Sequence, residues 1–198
     1  TNIGSPMPKF TFGWTNTFRY KNFDLSVFIN GSYGNKVYNY LSMKLTHMNS
    51  PWTNQLNAVN GRAQLVPINP NKVYEDGTMW YNDVSNVMVA NPGASIPRAT
   101  INDPNDNDRI SDRYIEDGSY IRLKNISLGY TFPKKTIDKL GLSNLRIYAN
   151  IQNLLTITGY DGYDPEIGAS TSSVNVYGLD NGRYPSPTVY SFGLNVSF

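Results

Sequence analysis

The last eleven residues, Thr188–Phe198, alternate without a break. Tyr190, Phe192, Leu194, Val196 and Phe198 share one parity, and Ser191, Gly193, Asn195 and Ser197 share the other. Successive side chains of an extended strand point to opposite faces. The segment therefore predicts a strand with one aromatic, apolar face and one small, polar face. Two settings take such a strand: the edge of a soluble antiparallel sheet, or the wall of a transmembrane β-barrel, apolar toward lipid and polar toward the lumen. The apolar face runs to Phe198 with no polar cap behind it, which favours the barrel.

Composition narrows the choice less than it first promises. Mean hydropathy is −0.43, a value typical of soluble chains, yet barrel strands alternate and keep a polar average. No apolar run is long enough for a transmembrane helix. A formal net charge of +2 points to neither nucleic acid nor acidic partners. The absence of cysteine removes disulfides and thiolate metal sites. The start, Thr1-Asn-Ile-Gly-Ser-Pro6, has no secretory leader, so the chain is expected to be mature or the tail of something longer.

The same alternation recurs upstream and predicts strands at about 9–20, 22–33, 119–132 and 144–154, with the last at 187–198. Phe10, Phe12, Trp14, Phe18 and Tyr20 oppose Thr11, Gly13, Thr15, Thr17 and Arg19. After a tight turn, Phe23, Leu25, Val27 and Ile29 oppose Asp24, Ser26, Phe28, Asn30 and Ser32, the signature of a hairpin. Leu145, Ile147, Ala149 and Ile151 oppose Arg146, Tyr148, Asn150 and Gln152. Arg19, Asp24, Arg146, Asn150 and Gln152 are thus the expected lumen lining. In the third strand Ile126, Leu128, Tyr130 and Phe132 form the apolar parity, which also carries Arg122 and Lys124. Strict alternation puts those two cations on the lipid side near the strand's start, where they would snorkel or meet lipopolysaccharide phosphates.

Short connections alternate with long ones, at 34–118 and 156–185, as periplasmic turns alternate with extracellular loops. Ser50-Pro51 and Gly61 predict a short helix near 51–60, and Pro133–Leu140 before Gly141 predicts another. Five strands alone would leave unpaired edges in lipid, so a larger barrel is expected to surround them. The fold class is all-β, an antiparallel transmembrane β-barrel segment with long extracellular loops.

No enzymatic constellation is present. His47 is the single histidine, and no Gly-x-Ser-x-Gly occurs. Asn102–Asp108 has the composition of a calcium loop, but twelve positions from Asp103 end at Tyr114 and position six is Asp108, so the EF-hand pattern fails. No cofactor is expected; a solvated turn is the reading for Asp103–Asp108, and a looser calcium site the alternative. Asp112, Arg113, Glu116 and Asp117 are expected to form a structural ion-pair cluster. Trp52, Trp80 and Tyr81, with Tyr160, Asp161, Tyr163 and Asp164, are the candidate ligand or lid contacts. Aromatic faces stack on sugar rings and neighbouring carboxylates accept hydroxyl hydrogen bonds, with self-packing of the loops as the competing reading.

Several stretches resemble one family. They are Ser111–Pro133, Asn150–Glu166, Tyr184-Pro-Ser-Pro187 and Tyr33-Gly-Asn-Lys-Val-Tyr38, and they resemble the C-terminal region of SusC/RagA TonB-dependent outer-membrane transporters. The resemblance implies a 22-stranded barrel with an N-terminal plug, of which residues 1–198 would be the last five strands, the plug being absent. It implies a Gram-negative outer membrane and nutrient import of oligosaccharide or peptide. The implied partners are the rest of the barrel and plug, a SusD-like surface lipoprotein, TonB through the missing N-terminal part, and outer-membrane lipid. Tyr190, Phe192, Leu194, Val196 and Phe198 resemble the signal read by the barrel-assembly machinery. A passive porin and a soluble secreted glycan-binding β-domain are the rival readings.

Overall fold

A computed structural model of the chain describes residues 3–103, 105–167 and 177–198. Part of the second long loop, 168–176, lies outside them. Two units appear, one of residues 1–39 and 115–198, the other Tyr40–Tyr114.

The first unit is built on five long strands: β1 (Phe10–Tyr20), β2 (Phe23–Tyr33), β7 (Tyr120–Thr131), β8 (Asn144–Thr158) and β10 (Val189–Ser197). They form one antiparallel meander in the order β1-β2-β7-β8-β10. Four of them have the roughly 9–11 residues or slightly more that a tilted membrane strand needs, and β8 runs to Thr158, beyond the predicted 154. Cross-strand register lines up the apolar parity in rows, such as Phe18, Leu25, Leu128, Ala149 and Phe192. This face is unpacked: Trp14 is 58% exposed, Phe192 83% and Phe198 94%. A soluble protein rarely leaves so large an apolar surface bare.

Two irregularities sit side by side in the sheet. Phe28 pairs with Asn125, but Ile29 pairs with Leu123, so Lys124 is an extra residue in β7. On the other side Gln152 pairs with Asn125 and Leu155 with Leu123, leaving Asn153 and Leu154 against Lys124; Asn153 has φ 53°. A bulge shifts a strand's parity by one. Strict alternation is therefore wrong for Arg122 and Lys124. Before the bulge Ile121 and Leu123 take the apolar face, and Arg122 turns to the polar one, paired with Asn30 and Thr156.

Near the long connections a small sheet joins β3 (Lys36–Asn39), β6 (Ile115–Asp117) and β9 (Leu179–Asp180) in the order β6-β3-β9. Here Val37 and Asp180 are almost fully enclosed. At the opposite end β7 passes into a short helix, α2 (Lys134–Ile137), and a 3-10 turn closed by Gly141 at φ 70°. The helix expected over Pro133–Leu140 is thus split.

The second unit holds a helix, α1 (Tyr40–Thr46), and a two-strand ribbon, β4 (Leu65–Pro67) with β5 (Val87–Val89). The helix predicted near 51–60 is a 3-10 turn, Asn57–Gly61; Ser50 instead accepts the Trp52 N–H through its hydroxyl, making a local turn. No helix among the described residues is long and apolar enough to cross a membrane, which leaves crossing by strands open.

Candidate functional site on the polar face of the sheet

Arg19, Asp24, Arg146, Asn150 and Gln152 all belong to the parity opposite Phe192 and its neighbours. Arg146 donates to Asp24 through Nη2 at 2.6 Å and Nε at 3.3 Å, although β7 runs between their strands. Gly129 makes that reach feasible, since a Cβ there would collide with both side chains. Partly exposed, the pair is worth little stability, about 0–1 kcal/mol; it ties three strands into one register. Asn30 and Asn150 each keep a buried Oδ1 with no hydrogen-bond donor, so this face holds acceptor capacity that no described protein group uses.

The strongest constellation lies where the second long connection meets β7. Arg122 is 2% exposed. It donates Nε to Thr156 Oγ1 at 2.9 Å, Nη1 to Glu166 Oε2 at 2.7 Å, and Nη2 to Asp164 Oδ1. Lys124 Nζ shares Glu166 Oε2 at 2.7 Å. Asp164, 6% exposed, also accepts the Glu166 N–H at 2.9 Å and the Ser186 N–H at 3.0 Å. Burial pushes the Asp164 carboxyl up, but the Ser186 N–H, Arg122 and the Glu166 N–H outweigh it and hold it below the ordinary carboxylate value.

Two further carboxylates fasten the same segment. Tyr160, 5% exposed, donates its hydroxyl to Asp180 Oδ2 at 2.5 Å, while Asp180 Oδ1 accepts the Gly182 and Arg183 N–H groups. Burial and the Asp180 carboxylate raise the Tyr160 hydroxyl far above its ordinary value. Glu116 accepts Asn39 Nδ2 at 2.9 Å and the Asp161 N–H at 3.0 Å. Residues 159–167 are thus folded onto the sheet by Arg122, Glu116 and Asp180, and Pro165, Glu166 and Ile167 rim a recess of about 550 Å³ with Lys124, Tyr120 and Arg183.

The sequence-predicted contacts divide accordingly. Tyr160 and Asp164 are buried and committed to internal bonds, whereas Tyr163 is 63% exposed and Asp161 is exposed. In the second unit Trp80 and Tyr81 meet edge to face at 5.6 Å, and Trp52 stands 93% exposed. His47 Nε2 lies 3.1 Å from Asp103, whose carboxylate also accepts from Asn107 Nδ2 at 2.6 Å and from the Asn107 N–H. Asp103 is therefore turned into its own loop, and among the described residues no three acidic or histidine side chains gather as metal ligands. The expected cluster of Asp112, Arg113, Glu116 and Asp117 does not form: Asp117 pairs with Lys36 at 3.3 Å, Arg113 lies over the Tyr114 ring, and Glu116 serves Asn39 and Asp161.

Alternation alone missed Arg122, Lys124 and Glu166 as a unit. Their signal was present as a phase slip, with Ile121 and Leu123 of one parity followed by Ile126 and Leu128 of the other.

No family model matches the chain. Over 201 residues it is 36% identical to TonB-dependent receptor P3 of Formosa agariphila, covering 99% of this chain and 17% of the relative. It is 29% identical over 189 residues to the TonB-dependent receptor SusC of Bacteroides thetaiotaomicron, covering 94% of this chain and 15% of that one. The chain therefore spans less than a fifth of the length of the curated relatives it matches. The solved RagAB peptide transporter superposes with a TM-score of 0.71 over 98% of this chain and 18% of its own, at 21% identity, a likeness of fold. These relatives are receptors and a transporter, not enzymes. With its bare apolar face, polar opposite face and antiparallel meander, the chain is a β-barrel segment of the TonB-dependent receptor type, similar over nearly its whole length to SusC.

Proposed function

We propose that this chain supplies wall, lumen lining and two extracellular loops to a Gram-negative outer-membrane importer of oligosaccharide or peptide. The importer is driven through TonB and works with a SusD-like lipoprotein lid, the plug and the remaining strands coming from the rest of the receptor. The observation that carries the reading is the two-faced sheet: an unpacked apolar side, and a polar side onto which Arg122 folds residues 159–167. A soluble glycan-binding domain has no use for the first, and a freely open porin none for the second.

The recess beside Lys124 and Glu166 then lies on the path of the substrate, at the mouth of the lumen. Asp161, Tyr163, Trp52, Trp80 and Tyr81 are the proposed contacts for ligand or lid, with Tyr160 and Asp164 positioning the loop that presents the first two. Release to the periplasm follows plug rearrangement.

The test uses the complete receptor in its own outer membrane, supplied with labelled oligosaccharides and peptides before and after collapse of the proton gradient. Uptake that stops with the gradient fits TonB-driven import. Uptake that continues unchanged indicates a passive porin, and recovery of the receptor from the medium as a soluble protein would support the glycan-binding alternative.

A further inference from the structure

We propose that the apolar face carries a specific site for an anionic phospholipid. In the row Phe18, Leu25, Leu128, Ala149 and Phe192, four side chains are large and one is small. The gap at Ala149 opens a depression of about 540 Å³, bounded by Leu128, Tyr130, Ile147, Phe192 and Leu194. That volume lies within the roughly 300–1,000 Å³ usual for small-molecule sites. Its lining is almost wholly hydrocarbon and aromatic, which suits an acyl chain.

What distinguishes this depression from bare wall is the end it points to. One row further on stand Tyr20, Phe23, Tyr130, Ile147 and Leu194, with the Phe23 and Tyr130 rings 4.7 Å apart and Tyr130 and Phe132 5.0 Å apart. Tyrosine and other aromatics collect at the headgroup level of a membrane. Immediately beyond come the short connections with Lys21, Lys134, Lys135 and Lys139 against one acid, Asp138. Among the described residues Lys21, Lys134 and Lys135 form no ion pair, and the Lys21 amine lies over the Tyr20 ring at 5.3 Å. An acyl groove, an aromatic collar and unpaired lysines in that order match a phosphate headgroup with its tail directed up the wall. The occupant is committed by this charge complementarity: an anionic phospholipid of the leaflet at the short-connection end.

The inference rests on the reading of the sheet as membrane wall, and the experiment separates the two. The complete receptor, extracted in mild detergent, is examined by native mass spectrometry with added phosphatidylglycerol, phosphatidylethanolamine of the same chains, and lipid A. Phosphatidylglycerol is expected to be retained preferentially. Each of Lys21→Ala, Lys134→Ala and Lys135→Ala should reduce that preference, by about fivefold for a lysine at the headgroup level. Ala149→Leu, which fills the depression, should weaken retention of both phospholipids while the heat-modifiable migration of the folded barrel is kept; Ala149→Val serves if the larger side chain impairs assembly. Equal retention of the two phospholipids, a preference for lipid A, or indifference to all these substitutions would overturn the site and leave the barrel standing. A receptor recovered without detergent, binding no lipid, would overturn the barrel itself.

Discussion

In the five-stranded sheet the chain is ordered by backbone ladders, and side chains choose faces; between Tyr40 and Tyr114 the backbone is mostly irregular and side chains hold it. The three inner strands meet their peptide hydrogen bonds with neighbours on both sides, the bulge apart, and β1 and β10 with a neighbour on one side. The second unit relies on a few polar hubs. Asn86, 4% exposed, gives its amide to the Asn69 carbonyl and the Tyr74 hydroxyl and accepts the Asn69 N–H at 2.7 Å. Asp83 accepts from Lys72, from the Tyr74 hydroxyl, and from both Ser85 groups. A ladder tolerates exchange of any one side chain of like polarity, because its hydrogen bonds are main-chain; a hub fails when one atom is removed. Arg122 belongs to the sheet in sequence but behaves as a hub.

The sharpest way to break this contrast is to attack the ladder's phase. Deletion of Gly193 in β10, a strand paired without a bulge, shifts its parity by one, so that Tyr190 and Phe192 no longer share the apolar face with Leu194 and Val196. Assembly of the complete receptor should fail, read as loss of the heat-modifiable folded band on a gel. A normal folded band would show that a bulge can absorb the slip in β10 as one does in β7.

Arg122→Ala keeps the ladder and removes only the hub. Leaving Asp164 buried and uncompensated is expected to cost about 3–5 kcal/mol. Proteases should then cleave within 159–167 while the barrel migrates as folded, and Arg122→Ala with Asp164→Asn should recover part of the protection. If cleavage is unchanged, the segment is held by Tyr160–Asp180 and Glu116 alone.

Asn86→Ala tests the second unit. Loss of a buried amide that serves three partners should cost about 1–3 kcal/mol locally, seen as faster hydrogen exchange over residues 65–89 and unchanged exchange in β7 and β8.

The smallest effect is one of pH. The Lys72 amine, followed by the Ser85 and Tyr74 hydroxyls, holds the Asp83 carboxyl well below its ordinary 3.8. A depressed folded-state value contributes stability that is complete above the ordinary value and lost as pH falls below it through the folded one. Exchange protection in residues 72–86, taken relative to the intrinsic amide rate at each pH, should therefore be flat from neutral pH down to about pH 4 and fall only under stronger acid. A loss of protection already in the mildly acidic range would assign the hub to another group.

Much of the sheet was readable from residues alone. Alternation placed all five strands, because on a half-exposed strand each position must suit lipid or polar surroundings by itself. The family motif Tyr160–Glu166 was visible as a motif, but not its division into buried struts, Tyr160 and Asp164, and outward residues, Asp161 and Tyr163. The helix expected near 51–60 failed because Ser50 bonds locally to Trp52 rather than capping a helix, a choice between two hydrogen bonds that propensity does not separate.

By itself the sequence determined the two faces, the five strands of the main sheet and the alternation of short and long connections, since these depend on residues two positions apart, but not the short strands β3, β4, β5, β6 and β9. Only the tertiary structure decided which face Arg122 takes and what it holds. Its carboxylate partners Asp164 and Glu166 lie 42 and 44 positions away, and the bulge that turns it toward them is defined against β2 and β8. Neither the register of a strand nor the partner of a buried charge is a local property, because both are set by neighbours that the chain brings together only when it folds.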